Sequence, residues 1–441
     1  MFENIIAQPA TSQLRADIAS RRLAPSMLFF GPPASGKGST AIELARSLSC
    51  ENAGAPWNCT CTACARHRTL SHADLAMIGP RGFASEIAAS RAAFLRDKTS
   101  VPGRLLFVRS LRKLLARFMP AVWEYESKSG KANPLSLLQA LEEDLDEFES
   151  LAAEAPEEKS VALEKASQTL MKNAFKLEGE YLSEAIPIAQ VRKAAYWSRL
   201  SPAGKQKTLI IENADRMEDK SRNALLKLLE EPPGTISIVL TAQRREALMD
   251  TILSRLRPYR FVARSAEQER EIIRRIFREP DSAENKLQGQ VSAYLDSFLP
   301  QPSEKLLPLA AFFIAAVARS AALAARNQNA SLSPCFTALG SYCAPIAESA
   351  GLDRASEAKE TIAALLALSG NFEGRSFPRF LALALNLVSG SLAQAGPGMI
   401  ACREIWKKRL GEAHAAYGVW NQRPELALES LFCRLREDMA R

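Results

Sequence analysis

Residues 27–40 read MLFFGPPASGKGST: four apolar residues, a loop rich in glycine and proline, and a lysine that opens a helix-like stretch. Residues 27–30 have the length of a short buried strand, and residues 37–48 predict a helix that starts on the last turn of the loop. Strand, glycine loop and helix in that order are what a phosphate cradle requires. Gly31 and Gly36 let the backbone curl so that successive N–H groups converge on one anion, and Lys37 adds a point charge. The helix that follows aims the positive end of its dipole at the same place. One position departs from the pattern for a nucleotide held with Mg²⁺. The residue after the lysine is Gly38, which carries no hydroxyl, and Ser39 and Thr40 stand one and two places further on.

Further along the chain, residues 76–78, 208–211 and 236–240 are short apolar runs that read as strands. The second runs into Glu212-Asn213-Ala214-Asp215. An apolar strand ending in a carboxylate, downstream of a phosphate loop, is where such a protein keeps the acid that holds Mg²⁺, and here that acid is Glu212. The next position, where a hydrolysing protein of this type keeps the carboxylate that polarises the attacking water, is Asn213, and an amide cannot accept a proton. A helix over 221–231 stops before Pro232-Pro233, and the third run ends at the polar Thr241. Strands alternating with helices predict an α/β fold with a parallel sheet and the ligand at the strand C-termini. Beyond Ala263 strand signals largely vanish, and alanine- and leucine-rich stretches at 305–326, 359–369 and 376–394 predict an all-α remainder.

Four of the eight cysteines crowd together directly after the phosphate-loop helix: Cys50, Cys59, Cys61 and Cys64, in ENAGAPWNCTCTACARH. Cys335, Cys343, Cys402 and Cys433 are scattered, which is not the spacing of a disulfide framework. Four clustered soft sulfurs suit tetrahedral Zn²⁺. The plainer alternative, buried cysteines of no chemical consequence, is at odds with the polar, turn-rich surroundings. Cys59 and Cys61 are separated by one residue instead of the usual two, which leaves His67 as a substitute ligand.

Residues 81–180 differ from their neighbours and read as mostly helical. From Arg91 to Lys131 there are ten basic residues against Asp97, Glu124 and Glu126; from Glu142 to Glu164 there are ten acidic residues against Lys159. Opposite charges on either side of a break at 130–134 predict a helical hairpin with solvated faces, the basic arm being the alternative contact for DNA.

The composition sets bounds on these readings. At 441 residues the chain is long enough for two to four domains, and 47% hydrophobic with 24% charged residues is the balance of a globular protein. The N-terminal residues lack the pattern of an export signal, so the expected location is cytoplasmic. The longest apolar run, 306–318, contains Pro308 and stops at Arg319, so a buried helix is expected there and no membrane partner. A net charge of +8 is compatible with nucleic acid nearby but does not establish it.

The string IIENADRMEDKSRNALLKLLEEPP, followed by SIVLTAQ and TILSRLR, closely resembles the clamp-loader branch of the AAA+ proteins that serves bacterial DNA polymerase III. FENIIAQ, GPPASGKGS, the four cysteines, SHADLAMIGP and IPIAQVRKAAYWSRLSPAGKQKTL reinforce the likeness, which covers residues 1–80 and 185–262. The resemblance implies a RecA-like AAA+ P-loop core over 1–262, with a zinc module at about 50–67 and the charged helical insertion at about 81–180. It further implies a small helical lid at 263–300 and a helical collar for oligomerisation at 301–441. It assigns Gly36 and Lys37 to the phosphate loop, Glu212 to the Mg²⁺-binding acid, Thr241 to the polar sensor, and the four cysteines to zinc. Arg255, in Ser254-Arg255-Leu256, matches the family's arginine finger, although the cysteine usual after it is Leu256. The implied role is an accessory subunit of a DNA polymerase that helps load the sliding clamp onto primed DNA. Its partners would be other loader subunits, of the gamma/tau and delta type. ATP with Mg²⁺ is then a possible ligand, and Gly38 and Asn213 count against its hydrolysis. The alternative is an active gamma/tau-type ATPase motor.

Overall fold

The computed structural model describes residues 1–123, 133–154, 158–280, 290–327, 333–352, 355–372, 375–394, 399–418, 420 and 422–438. The chain divides into two compact units, Met1–Phe298 and Leu299–Arg441.

The first unit is built on a parallel sheet of β1 (Ser26–Phe30), β2 (Leu75–Ile78), β3 (Lys207–Ile211), β4 (Ile236–Ala242) and β5 (Arg257–Arg260), in the order β2-β3-β4-β1-β5. β3 and β4 are buried along their whole length and β1 along all but Phe30, as expected when helices cover both faces of a parallel sheet. Successive side chains point to opposite faces. Met27 and Phe29 pack with Leu14 of α1 (Pro9–Ala19) and with Ile42 and Leu44 of α2 (Lys37–Ser49). A short helix, α3 (Thr62–Arg68), follows in the cysteine-rich segment. Leu28, Ile211 and Leu240 lie on the other face, and the helices against them come later in the chain.

Between β2 and β3 the insertion forms α4 (Ala84–Arg96), α5 (Val101–Leu115), α6 (Leu135–Glu154) and α7 (Ser160–Tyr181). These four helices enclose their own core, with Phe94, Phe107 and Phe148 in edge contact at 5.2 and 5.5 Å. The structure therefore replaces the expected two-armed hairpin with a four-helix cluster. Its opposite charges do meet, in the Arg112–Glu149 pair and in Lys98–Glu164 at 3.1 Å. Residues 130–132 of the expected break lie outside the described residues.

The second sheet face is covered by α8 (Ile188–Arg199), α9 (Asp219–Glu230) and α10 (Asp250–Leu253), through Val191, Leu225, Leu228 and Ile252. Two further helices complete the unit, α11 (Ala266–Phe277) and α12 (Val291–Ser297). Their Ile273, Phe277 and Tyr294 pack with Ala89 of α4, and Arg96 pairs with Glu279 at 2.8 Å.

The fifth strand was not expected. Its sequence, RPYR, buries only Tyr259, whose hydroxyl donates to Asp17 Oδ2 at 2.6 Å. Pro258 removes a backbone donor, which an edge strand tolerates, and β5 is at the sheet edge.

The second unit contains, among the described residues, the helices α13 (Ser303–Asn327), α14 (Pro334–Glu348), α15 (Ala358–Ser369), α16 (Ser376–Gln394), α17 (Ile400–Gly418) and α18 (Pro424–Asp438), with a 3-10 turn between α15 and α16. Helices α13 and α16 are long and apolar enough to cross a membrane by length and composition alone. Within the most apolar window of α13, 72% is buried, with Phe313 packed edge-on to Phe380 and Phe432. This helix therefore serves as the centre of its own unit's core. Cys335 and Cys402, scattered in sequence, are brought together by α14 and α17 as a disulfide, with Cα atoms 6.6 Å apart.

Candidate functional site: a glycine-lysine loop, a guanidinium-bound acid and a cysteine cluster

The parallel register aligns three strand ends. Phe29 stands opposite Thr241 and Ile211 opposite Leu240, so the loop after β1, Glu212 after β3 and Thr241 in β4 share one edge of the sheet. Gly31 (φ +148°) has no room for a side chain, because a Cβ there would collide with the Phe261 carbonyl. Gly36 (φ +93°) turns the chain into α2 in a conformation L side chains rarely adopt. Lys37 is buried, and its Nζ donates to the carbonyls of Gly31 and Pro32 at 2.7 and 2.6 Å and to Ser35 Oγ at 3.3 Å. Burial pushes the Lys37 ammonium down to about 8, against the pull of Asp215 and Glu212. Arg264 braces the loop from outside, donating to the Ala34 carbonyl at 2.9 Å. Of the two displaced hydroxyls, Ser39 is exposed, while Thr40 is buried and bonded to the Gly36 carbonyl at 2.9 Å.

Glu212 is buried at the end of β3 and both of its oxygens are taken. Oε2 pairs with Arg117, and Oε1 with Arg81 at 3.4 Å. Arg81 also pairs with Glu86, which in turn pairs with Lys113. Burial alone would raise the Glu212 carboxyl, but the guanidiniums of Arg81 and Arg117 outweigh it and hold it below the usual range. A Cβ on Gly38 would collide with Glu212 Oε1, so this glycine is what allows α2 and the acid to approach so closely. Asn213 adopts the left-handed conformation (φ +51°), which asparagine tolerates. Its side-chain amide donates to the Pro80 carbonyl at 2.6 Å, and its backbone N–H donates to Thr241 Oγ1 at 3.0 Å. Nothing in this arrangement can take a proton from water at position 213.

Sequence reasoning missed Arg81, Glu86, Lys113 and Arg117. Three of them lie in or near the charged helices that read as solvated. The available signal was that Arg117 lies between Leu114 and Phe118, both buried, one helical turn apart.

The cysteine cluster is assembled as its spacing predicts. The Sγ atoms of Cys50, Cys59, Cys61 and Cys64 all lie within 4.8 Å of one another, and Cys50 and Cys59 are 3.6 Å apart. Tetrahedral Zn–S bonds of about 2.3 Å imply sulfur separations of about 3.8 Å, so the donor set fits zinc. A supporting shell is present. Arg46 Nη1 donates to Cys64 Sγ at 2.9 Å and Asn52 Nδ2 to Cys59 Sγ at 3.1 Å. Arg46 is itself fixed by Glu43 and by the carbonyls of Ala55 and Pro56. His67 lies outside the cluster, stacked on His72 at 4.2 Å.

Arg255 follows α10 on the surface. Its guanidinium reaches Glu230 Oε1 at 2.7 Å and the Thr251 carbonyl at 2.6 Å, while Leu256 beside it is buried.

A glycine-lysine loop after an inner parallel strand, with an acid and a polar residue at the ends of two neighbouring strands, defines an α/β protein with its candidate site at the strand C-termini. The chain belongs to the DNA polymerase III, delta subunit family, whose sequence pattern matches residues 6–103 and 137–265, just over half of its length. It is 35% identical over 82 residues to the DNA polymerase III subunit delta' of Pseudomonas aeruginosa. That alignment covers 18% of this chain and spans a quarter (25%) of the relative's own length. Among solved structures, a DNA polymerase III gamma subunit-related protein of Thermotoga maritima aligns over 63% of this chain and 90% of its own. At 19% identity and a TM-score of 0.25, that likeness carries no weight here.

Proposed function

We propose that this chain is the delta-prime-type subunit of a DNA polymerase III clamp loader, working in the cytoplasm. It acts as a scaffold that hydrolyses little nucleotide and supplies Arg255 to a neighbouring ATPase subunit. In this reading residues 1–262 are the AAA+ core, 263–300 the lid and 301–441 the collar. Cys50, Cys59, Cys61 and Cys64 hold a structural zinc ion. The partners are gamma/tau and delta subunits, and the sliding clamp and primed DNA are met through the assembled complex.

The observation that carries the reading is an asymmetry between the chain's two catalytic contributions. Its own site has an amide where a hydrolysing protein keeps a carboxylate, with Asn213 turned to Pro80, and Glu212 is bound by two guanidiniums. Its finger residue, Arg255, is on the surface and held by an exposed carboxylate, a carbonyl and the Ser254 hydroxyl, from which it can be exchanged onto a phosphate. The alternative, an active gamma/tau-type motor, needs a hydroxyl at position 38 and a carboxylate at 213, and has neither. Co-purification with the other loader subunits and the clamp tests the proposal. A solitary monomer with robust ATPase activity would refute it.

A further inference from the structure

A magnesium ion does not fit the residues at Glu212, and the misfit has a specific cause. Position 38 offers no oxygen, and both Glu212 oxygens are already paired with cations of the same polypeptide. Arg117 is completely buried in the 3-10 turn Ala116–Phe118 that directly follows α5, and is delivered to the site by the insertion between β2 and β3. Its guanidinium and that of Arg81 lie on the ring of Phe83, 5.4 and 5.6 Å from the centroid. The N–H groups of Arg117 that have no hydrogen-bond acceptor, Nε and Nη1, are therefore compensated by an aromatic face.

The groups around Glu212 are mixed in sign: Arg81, Lys113 and Arg117 stand with Glu86, Glu178 and Glu212, and Arg109 adds a further positive charge beside Glu86 and Lys113. The Glu178 carboxylate receives the N–H groups of Phe83 and Ala84 at 3.1 and 2.7 Å, which fixes the start of α4 beside the two arginines. A divalent cation entering this group would add two charges to a set that already holds more cations than carboxylates, and would have to displace a guanidinium that cannot lose its proton.

We propose that Arg117, seconded by Arg81, is a resident cation that takes the metal's place at Glu212, so that the phosphate loop is a site for a metal-free phosphate chain. This rests on the reading of residues 31–37 as a phosphate site. It also gives the insertion a function, since the turn after α5 supplies the counter-charge and Lys113 of α5 and Glu86 of α4 help to fix it. Residues 104–136, which carry Lys113 and Arg117, fall between the two stretches that match the family pattern, whereas Arg81 and Glu212 lie inside them. The Arg117 guanidinium is thus supplied by a segment outside the family match, to an acid inside it.

The test uses the zinc-loaded full chain with Mn²⁺ as the magnesium probe, read by electron paramagnetic resonance, together with thermal melting in buffer with and without Mg²⁺. The wild type should bind no Mn²⁺ at this site and melt at the same temperature in both buffers. Arg117→Met should melt lower, and Arg117→Met with Glu212→Gln should recover most of that loss. Binding of one Mn²⁺ by the wild type that Glu212→Gln abolishes overturns the proposal, as does strict additivity of the two substitutions. ADP should bind equally well with and without Mg²⁺, and a gain of about tenfold or more with the metal also overturns it. Absence of any ADP binding is a distinct result: it removes the phosphate-site reading, and with it the proposed ligand, while the Mn²⁺ and melting results still decide the role of Arg117.

Discussion

Replacing Arg46 by methionine keeps the aliphatic stem and removes every donor that joins the phosphate-loop helix to the cysteine cluster. Arg46 is 2% exposed. Its N–H groups bond both oxygens of Glu43 at 2.8 and 2.7 Å, the Ala55 and Pro56 carbonyls at 2.7 and 3.2 Å, and Cys64 Sγ at 2.9 Å. Without it, buried Glu43 retains the Phe2 N–H at 3.2 Å as its hydrogen-bond partner, with the Arg109 charge nearby. Removing one member of a buried pair in this way costs about 3–5 kcal/mol, because a carboxylate stays desolvated without its counter-charge. In a unit of this size each kcal/mol lowers the melting temperature by about 2 °C, so a fall of about 6–10 °C is expected. The same substitution strips the sulfur of its outer-shell donor, a loss that lowers metal affinity by about 10–100-fold. Calorimetry and zinc competition with a chromogenic chelator read the two effects separately. Adding Glu43→Gln should restore most of the stability and little of the zinc affinity. If Arg46→Met melts like the wild type and holds zinc as tightly, the coupling between the helix and the metal module is wrong.

Three further outcomes follow from the site geometry. Protein prepared without chelator should contain one zinc ion, and Cys61→Ser or Cys64→Ser should lower metal content and local stability while leaving the sheet intact by circular dichroism; elemental analysis finding no zinc would sink the assignment. Isolated chain should show ATPase activity near background, since Asn213 supplies no base; turnover matching an active loader ATPase and lost in Lys37→Ala would contradict this. Lys37 is held charged at a cost below its folded value of about 8, and because that value lies below the unfolded one, the folded state sheds the proton first as pH rises. The stability of the wild type relative to Lys37→Met should therefore improve between pH 8 and 10, and a flat difference in paired melting curves would show that the lysine is not desolvated.

The sheet was legible because its inner strands are short apolar runs flanked by the candidate site residues. Residues 208–211 ending at Glu212, and residues 236–240 ending at Thr241, place two site residues by pattern alone. The cysteine cluster was legible for a similar reason, since its four sulfurs are close in sequence and need only α3 and a turn to converge. β5 was hidden because three of its four residues, Arg257, Pro258 and Arg260, are not strand formers, and its pairing is imposed by β1. Arg117 was hidden because charge at helical spacing usually marks a solvated face. Its partner, Glu212, is 95 residues away in the chain, and only the folding of the insertion back onto the strand ends reveals the pair.

The central claim, that the chain serves a catalytic site other than its own, is tested most directly at Arg255. The measurement is the DNA-stimulated ATPase rate and clamp loading of a complex reconstituted with Arg255→Ala. An arginine finger contributes about 10³–10⁵ in rate where it is the main source of charge stabilisation, and a loader with several sites would lose only the step this finger serves. The account predicts a folded variant that assembles normally but loads clamps more slowly and hydrolyses less ATP, with poor rescue by Arg255→Lys because an ammonium cannot make the two-pronged contact. An alanine variant that assembles and loads clamps at the wild-type rate would contradict it, and would leave Arg255 as a surface residue paired with Glu230.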